Sequence, residues 1–163
     1  MGLALPGEGG HAVTGADHHY WMRRAIEFAR LCPVVEGAFS VGAVIVADGA
    51  EISAGYSRET DPKEHAEEAA LNKLDADDSR LARATLYSTL EPCSERGTKT
   101  RLPCTDRILR AGIPVVVIAW REPSTFVANC VGVEKLQQAG VTVIELAELA
   151  DEAMSMNRHL DLS

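Results

Sequence analysis

The chain has 163 residues, 46% of them hydrophobic and 25% charged, which is enough apolar side chain for one ordinary globular core. Its 24 acidic against 16 basic side chains give a formal net charge of −8, which argues against nucleic acid as a partner, because such a partner needs a basic face. No apolar run approaches the roughly 18 residues of a membrane span, and four cysteines are too few for a disulfide scaffold, so the expectation is a cytoplasmic protein with reduced thiols.

Residues 1–15 are rich in glycine and lack the basic start of a signal peptide; they read as a disordered tail ahead of a single domain over 16–163. Asp17 to Cys32 reads as a helix, with Trp21, Ala25, Phe28 and Ala29 on one face and Asp17 as its cap. "SVGAVIVA" and "AEISAGYS" read as two strands joined across "ADGA" into a hairpin. "HAEEAALNKLD" is a short helix beginning near Glu64, the charge run "DADDSR" a solvated turn, and "ATLYSTL" the third strand. "CTDRILRAG" is a helix stopped by Gly112, "IPVVVIAW" a buried β-branched strand, "VGVEKLQQAG" a helix ended by Gly140, and "VTVIEL" the fifth strand. "AELADEAMSMNRHL" reads as one terminal helix. A hairpin followed by strand–helix units predicts an α/β fold with three α-β-α layers: a mixed five-stranded sheet with helices on both faces.

"EPCSERGTKTRLPC", Glu91 to Cys104, sets two cysteines at the ends of a polar, basic loop. Alone they are either a disulfide, two core thiols or two metal ligands. His65-Ala66-Glu67 opens a helix and brings an imidazole and a carboxylate to its mouth. Catalytic zinc takes three protein ligands and keeps one open position. His65, Cys93 and Cys104 supply three such ligands, and Glu67 remains as a nearby carboxylate able to take and return a proton. Cys104 opens a helix, so its thiolate is expected to gain from the helix N-terminus. H-x-E followed by P-C…C is the arrangement of zinc-dependent nucleobase deaminases, here with ten residues between the cysteines instead of two.

From about Tyr20 to Gly140 the chain resembles the cytidine-deaminase-like superfamily, through "VGAVIV", "HAEEAAL", "ATLYSTLEPC" and "LPCTDRILRAGI". Within it the chain is most similar to the pyrimidine deaminases of riboflavin biosynthesis, bacterial and especially fungal. The long loop between the cysteines, "GYSRE", "REPSTFV" and "LQQAG" carry that likeness. The bacterial enzymes have a shorter, His-rich loop and an Asn before the "VG" strand, where this chain has Ser94-Glu95-Arg96 and Phe39-Ser40. The resemblance implies a zinc ion on His65, Cys93 and Cys104, and Glu67 as the catalytic proton shuttle. It also implies hydrolytic loss of ammonia from a small aminopyrimidine and a homo-oligomer, dimer or tetramer. The substrate it implies is the diamino-ribosylamino-pyrimidinone phosphate of riboflavin synthesis, or its ribityl form. No reductase-like second domain is expected, since the chain ends at Ser163. Two alternatives share these residues: a deaminase of cytosine, cytidine, deoxycytidylate, guanine or a specialised-metabolite pyrimidine, and a non-catalytic zinc-stabilised binding module.

Outside that set, Lys99 and Arg101 are candidate phosphate ligands or else a flexible basic loop. Phe39 and Trp120 are candidates to sandwich a flat base, or else core residues; Ser40 is a further candidate substrate contact. Cys32 and Cys130 read as structural, His18 and His19 as solvated residues on the first helix, and His159 as a surface residue. Glu91 reads as a brace for backbone amides.

Overall fold

The structure is a computed structural model that describes residues 15–96, 100–121 and 131–160. The elements run α1 (Gly15–Ala29), β1 (Gly42–Ala47), β2 (Ala50–Tyr56), α2 (Ala66–Asn72), β3 (Thr85–Ser88), α3 (Cys104–Ala111), β4 (Val115–Ile118), α4 (Gly132–Gln138), β5 (Thr142–Glu145) and α5 (Ala150–Met154). The expectation of a disordered tail over 1–15 lies outside the described residues, except that Gly15 already begins α1.

The five strands form one mixed sheet in the order β2-β1-β3-β4-β5. β1 is antiparallel to both β2 and β3, while β3, β4 and β5 are mutually parallel. The hairpin closes through Asp48 and Gly49, both at positive φ (55° and 77°), the conformation that matches the right-handed strand twist. Alternation along β1 sorts side chains to two cores. Ala43, Ile45 and Ala47 join Ala66 and Ala70 of α2, Ile108 of α3 and Leu136 of α4 on one face. Val44 and Val46 join Met22, Ala25 and Ile26 of α1 and Ala153 of α5 on the other. The result is the three-layer α-β-α arrangement that the strand and helix pattern predicts.

Two glycines allow close approaches that fix where α2 and α4 begin. A Cβ on Gly55 of β2 would meet Ala70 N at 2.6 Å, so α2 lies directly on the sheet. A Cβ on Gly132 would meet Pro92 O at 2.1 Å, so the start of α4 presses against the residue before Cys93.

Two local expectations are corrected. The chain after β5 is not one helix: a 3-10 turn at Ala147–Leu149, α5, and a second 3-10 turn at Ser155–Asn157 replace it. The break turns Asn157 into the interior, where it is 2% exposed and hydrogen-bonded to Ser40. The "DADDSR" stretch is the solvated turn that its charges predict; it leads into a 3-10 turn at Ser79–Arg83, capped by Asp78, which accepts from Arg80 N at 3.0 Å, with Leu81 buried beneath. His18 is only partly solvated: its Nδ1 lies 2.8 Å from the Tyr87 hydroxyl, and partial burial lowers its basicity. His19, by contrast, is a half-exposed partner of Glu148.

Candidate active site

The parallel strands put their C-terminal ends at one edge of the sheet, and three chain segments converge there. β3 runs out through Leu90, Glu91 and Pro92 to Cys93. Glu91 fixes this exit, because its N–H donates to Trp120 O (2.8 Å) and its Oε2 accepts from Val133 N–H (2.9 Å). It is the backbone brace that its position suggests. α2 begins at His65, whose N–H donates to Glu68 Oε1 at 3.2 Å, the N-terminal cap of that helix. α3 begins at Cys104 behind Pro103.

These starts place His65 Nδ1 3.6 Å from Cys93 Sγ and 3.5 Å from Cys104 Sγ. All three ligand atoms lie within 4.8 Å of one another, and they form the one such group among the described residues. A tetrahedral zinc about 2.3 Å from sulfur and about 2.0 Å from nitrogen sets N and S roughly 3.5 Å apart. The donor set, two thiols and one imidazole, fits zinc in both spacing and softness.

The electrostatics follow from one negative charge shared among buried groups. A hydrogen bond from the Cys104 thiol is the largest influence on Cys93. With the His65 ring it holds the Cys93 thiol down to about 4 against the opposing effect of burial. The Cys104 backbone N–H adds to this, donating to Cys93 Sγ at 3.2 Å. Giving up that proton is correspondingly costly for Cys104, which is pushed well above the ordinary thiol range, with burial adding to the effect. The helix-mouth effect expected for Cys104 therefore falls on Cys93, because the first amide of α3 points at its neighbour's sulfur. Burial lowers the His65 imidazole, but the Cys93 thiolate beside it outweighs burial, and the net direction is up.

Glu67 is 4% exposed and raised by burial. Its Oε2 stands 3.3 Å from Ser88 Oγ, which also donates to Leu90 O at 2.7 Å. It is a buried carboxylate that belongs to no ligand group among the described residues, inside the same cavity as His65 and Cys93. That cavity, about 580 Å³, is lined by Gly37, Ala38, Phe39, Val41, Ser57, residues 62–67, Leu90, Glu91, Cys93, Glu95 and Arg96.

The other sequence candidates separate. Phe39 lines the cavity. Trp120 meets Phe39 edge-on, ring centroids 5.8 Å apart, so the two rings touch each other and leave no slot for a base between them. Ser40 is 1% exposed, and its Oγ accepts from Arg58 at 3.2 Å. Arg101 is held by Asp61 (2.7 Å) and by both oxygens of Glu68 (3.3 Å). Lys99 and Cys130 lie outside the described residues. Cys32 is buried and donates its S–H to Val41 O (3.4 Å), and His159 Nε2 stands 3.0 Å from Val35 O at the surface.

One group escaped the sequence reading. Glu68, next to Glu67, receives Arg96, Arg101 and Arg107 at 3.0, 3.3 and 3.1 Å. Its carboxylate and the Arg96 guanidinium are both nearly enclosed, at 6% and 5% exposure. The cluster ties both ends of the inter-cysteine excursion, and α3, to the start of α2. Three arginines within the span 96–107 were the available signal, but sequence does not show which carboxylate they share.

The family description "Cytidine and deoxycytidylate deaminase zinc-binding region" matches residues 16–120. The chain is 41% identical over 140 residues to the diaminohydroxyphosphoribosylamino-pyrimidine deaminase of Schizosaccharomyces pombe, covering 85% of this chain and 34% of that protein. Among solved structures, RibD of Acinetobacter baumannii superposes with a TM-score of 0.73 at 33% identity, over 86% of this chain and 38% of that one. The Aspergillus oryzae Rib2 deaminase, a C-terminal deletion mutant in complex with DARIPP, superposes with a TM-score of 0.71 at 26% identity, over 85% and 88%. The chain spans about a third of the length of the curated relatives it matches. The zinc-type donor trio, the adjoining buried glutamate and the match over 16–120 agree: the chain belongs to the family of the cytidine and deoxycytidylate deaminase zinc-binding region.

Proposed function

We propose that this protein is a zinc-dependent deaminase that replaces an exocyclic amine of a small aminopyrimidine by a carbonyl and releases ammonia. The observation that carries the reading is Glu67: a buried carboxylate, raised by burial, inside the donor cavity but outside the donor group. A non-catalytic zinc module would close its site with a fourth protein ligand. Three donors make up the group among the described residues, which favours the enzyme.

His65, Cys93 and Cys104 would hold a zinc ion, which when bound would supply an activated water as nucleophile. Glu67 takes the proton of that water. Its raised affinity for protons lets it pass that first proton to the ring nitrogen, then take the second proton of the same oxygen as the carbonyl forms and give it to the departing amine, so that ammonia leaves neutral. Ser88 Oγ orients the carboxylate. Phe39 offers an apolar surface to the flat base, Trp120 buttresses Phe39 from behind, and Ser40 acts through the backbone that carries Phe39.

The substrate we infer is the diaminohydroxyphosphoribosylamino-pyrimidine of riboflavin biosynthesis, or its ribityl form. The S. pombe relative named for that deamination supports it, as does the Aspergillus neighbour in complex with DARIPP. Three arginines share Glu68 and Asp61, so the cations of that cluster outnumber its carboxylates, and one of them, Arg96, lines the cavity. Lys99 and Arg101, both in the excursion between the cysteines, are the proposed phosphate contacts. The single domain over 16–163 is proposed as the catalytic unit. A dimer or tetramer is proposed from exposed Leu31 and Val34, 59% and 69% exposed on the segment that leads to the cavity wall. The free thiols of Cys32, Cys93 and Cys104 suit a reducing cytoplasm.

Ammonia release by the zinc-loaded protein, measured against the ribosylamino- and ribitylamino-pyrimidine phosphates, their dephosphorylated forms, cytosine, cytidine, deoxycytidylate and guanine, tests the reading. Turnover of the first two is expected. Turnover of a different base alone would replace the substrate and keep the chemistry. Ammonia from none of them would sink the reaction.

A further inference from the structure

Residues 33–40 form one wall of the cavity, through Gly37, Ala38 and Phe39, without belonging to a strand or helix. Two side chains from distant parts of the chain hold this wall. Arg58 donates from Nε and Nη2 to Pro33 O (3.2 and 2.8 Å), from Nη1 to Phe39 O (3.0 Å) and from Nη2 to Ser40 Oγ (3.2 Å). From the C-terminal segment, Asn157 reads both backbone groups of Ser40. Its Oδ1 accepts from Ser40 N–H at 2.6 Å, and its Nδ2 donates to Ser40 O at 3.0 Å.

Arg58 stands at φ 61°, in the left-handed region that favours glycine. The arginine side chain is therefore held there at a backbone cost that glycine would avoid. Its backbone N–H donates to Glu64 O at 2.8 Å, on the residue before His65. One residue therefore connects the approach to the imidazole with the opposite wall of the cavity. Asn157 lies beyond residues 16–120, the span of the family match.

We propose that Arg58 and Asn157 are positioning residues that set the 33–40 wall at a fixed distance from His65 and Glu67, and that they thereby govern substrate affinity. This rests on the deaminase reading above. The wall carries none of the zinc ligands and not Glu67, so its displacement loosens the grip on the base and leaves the proton shuttle in place.

Arg58→Gly, Arg58→Lys and Asn157→Ala in the full chain test this, with zinc content, melting temperature and ammonia release from the ribosylamino-pyrimidine phosphate measured for each. Two readouts independent of turnover are added: hydrogen exchange at the Ser40 amide, and acrylamide quenching of Trp120 in a Trp21→Phe background, since Phe39 covers the Trp120 ring. Arg58→Gly is expected to keep its zinc and its melting temperature while KM rises about tenfold or more and kcat stays within about threefold. Arg58→Lys should recover part of the KM, because one ammonium reaches one of the carbonyls. Asn157→Ala should speed exchange at Ser40 and raise KM in the same sense. An unchanged KM in both Arg58→Gly and Asn157→Ala, or losses in kcat that track melting temperature and leave KM alone, would overturn the proposal. If Asn157→Ala does not fold, the Arg58 pair decides by the same criteria. If the unaltered protein releases no ammonia from this compound, the substrate reading has failed. The wall is then judged by Ser40 exchange and Trp120 quenching: unchanged values in the variants overturn it and raised values support it.

Discussion

Glu67 and Glu68 are neighbours in sequence with opposite surroundings. Burial raises Glu67, and among the described residues no arginine or lysine pairs with it. Burial raises Glu68 too, but the His65 N–H and the Arg96 guanidinium outweigh it and keep that carboxylate charged. One is poised to carry a proton and the other to anchor charge. Glu67→Gln should keep zinc and melting temperature and lower kcat by about 10² to 10⁴, because an amide cannot shuttle a proton; metal analysis beside steady-state kinetics checks both halves. Glu68→Ala should act differently. It leaves three arginines around an enclosed space, one of them 5% exposed, and a loss of about 3 kcal/mol is expected in denaturant unfolding. At this scale the chemistry was legible, because residue type and order identify an imidazole, two thiols and a carboxylate. The direction of the thiol acidities was not, since it depends on the Cys104 N–H pointing at Cys93 Sγ, and His18 was misread because its partner Tyr87 is 69 residues away.

The strand and helix ends set the site. Cys93 stays in place because the start of α4 presses on Pro92 through Gly132, and because Glu91 holds the first turn of α4. Gly132→Ala puts a methyl group 2.1 Å from Pro92 O, so backbone must move. We expect about 2 kcal/mol of lost stability, within the overpacking range, together with weaker zinc retention under a chelator; thermal melts with and without the chelator measure the two. The excursion between the cysteines is tied to α2 through Arg96 and Arg101 on Glu68. If Lys99 and Arg101 hold a phosphate, Lys99→Ala with Arg101→Ala should raise KM for the phosphorylated pyrimidine by tens-fold to thousands-fold, at roughly 1.5–3 kcal/mol for each charge-assisted bond. The dephosphorylated analogue should be nearly unaffected, and equal losses on both would assign the pair to loop structure. The regular elements were legible from hydrophobic period and from Gly112, which ends α3 at φ 77°. The segment after β5 was not, because a long-range bond from Asn157 to Ser40, 117 residues apart, overrides its helical pattern.

For the whole molecule, the sheet brings the start of α2, the exit of β3 and the start of α3 to one edge, and a bound ion there would join three otherwise separate segments. Stability should therefore depend on zinc: at a free concentration near a thousand times Kd, binding contributes about 4 kcal/mol. Stripping the metal should lower the melting temperature by on the order of 10 °C, read by calorimetry before and after chelation and zinc return. The fold class was legible from the alternation of strands and helices, since a hairpin followed by parallel strand–helix units has few compact solutions. The cavity wall at 33–40 was not, because it has no periodicity and is held by side chains from elsewhere. The central claim is that Glu67 and the His65–Cys93–Cys104 centre hydrolyse a carbon–nitrogen bond. Its most direct measurement is turnover of the ribosylamino-pyrimidine phosphate in water enriched in heavy oxygen, with the product read by mass spectrometry. The account predicts one heavy oxygen in the product carbonyl for each ammonia released, with both formed about 10² to 10⁴ times more slowly in Glu67→Gln. A product that forms with no heavy oxygen, or at an undiminished rate with Glu67→Gln, would contradict it.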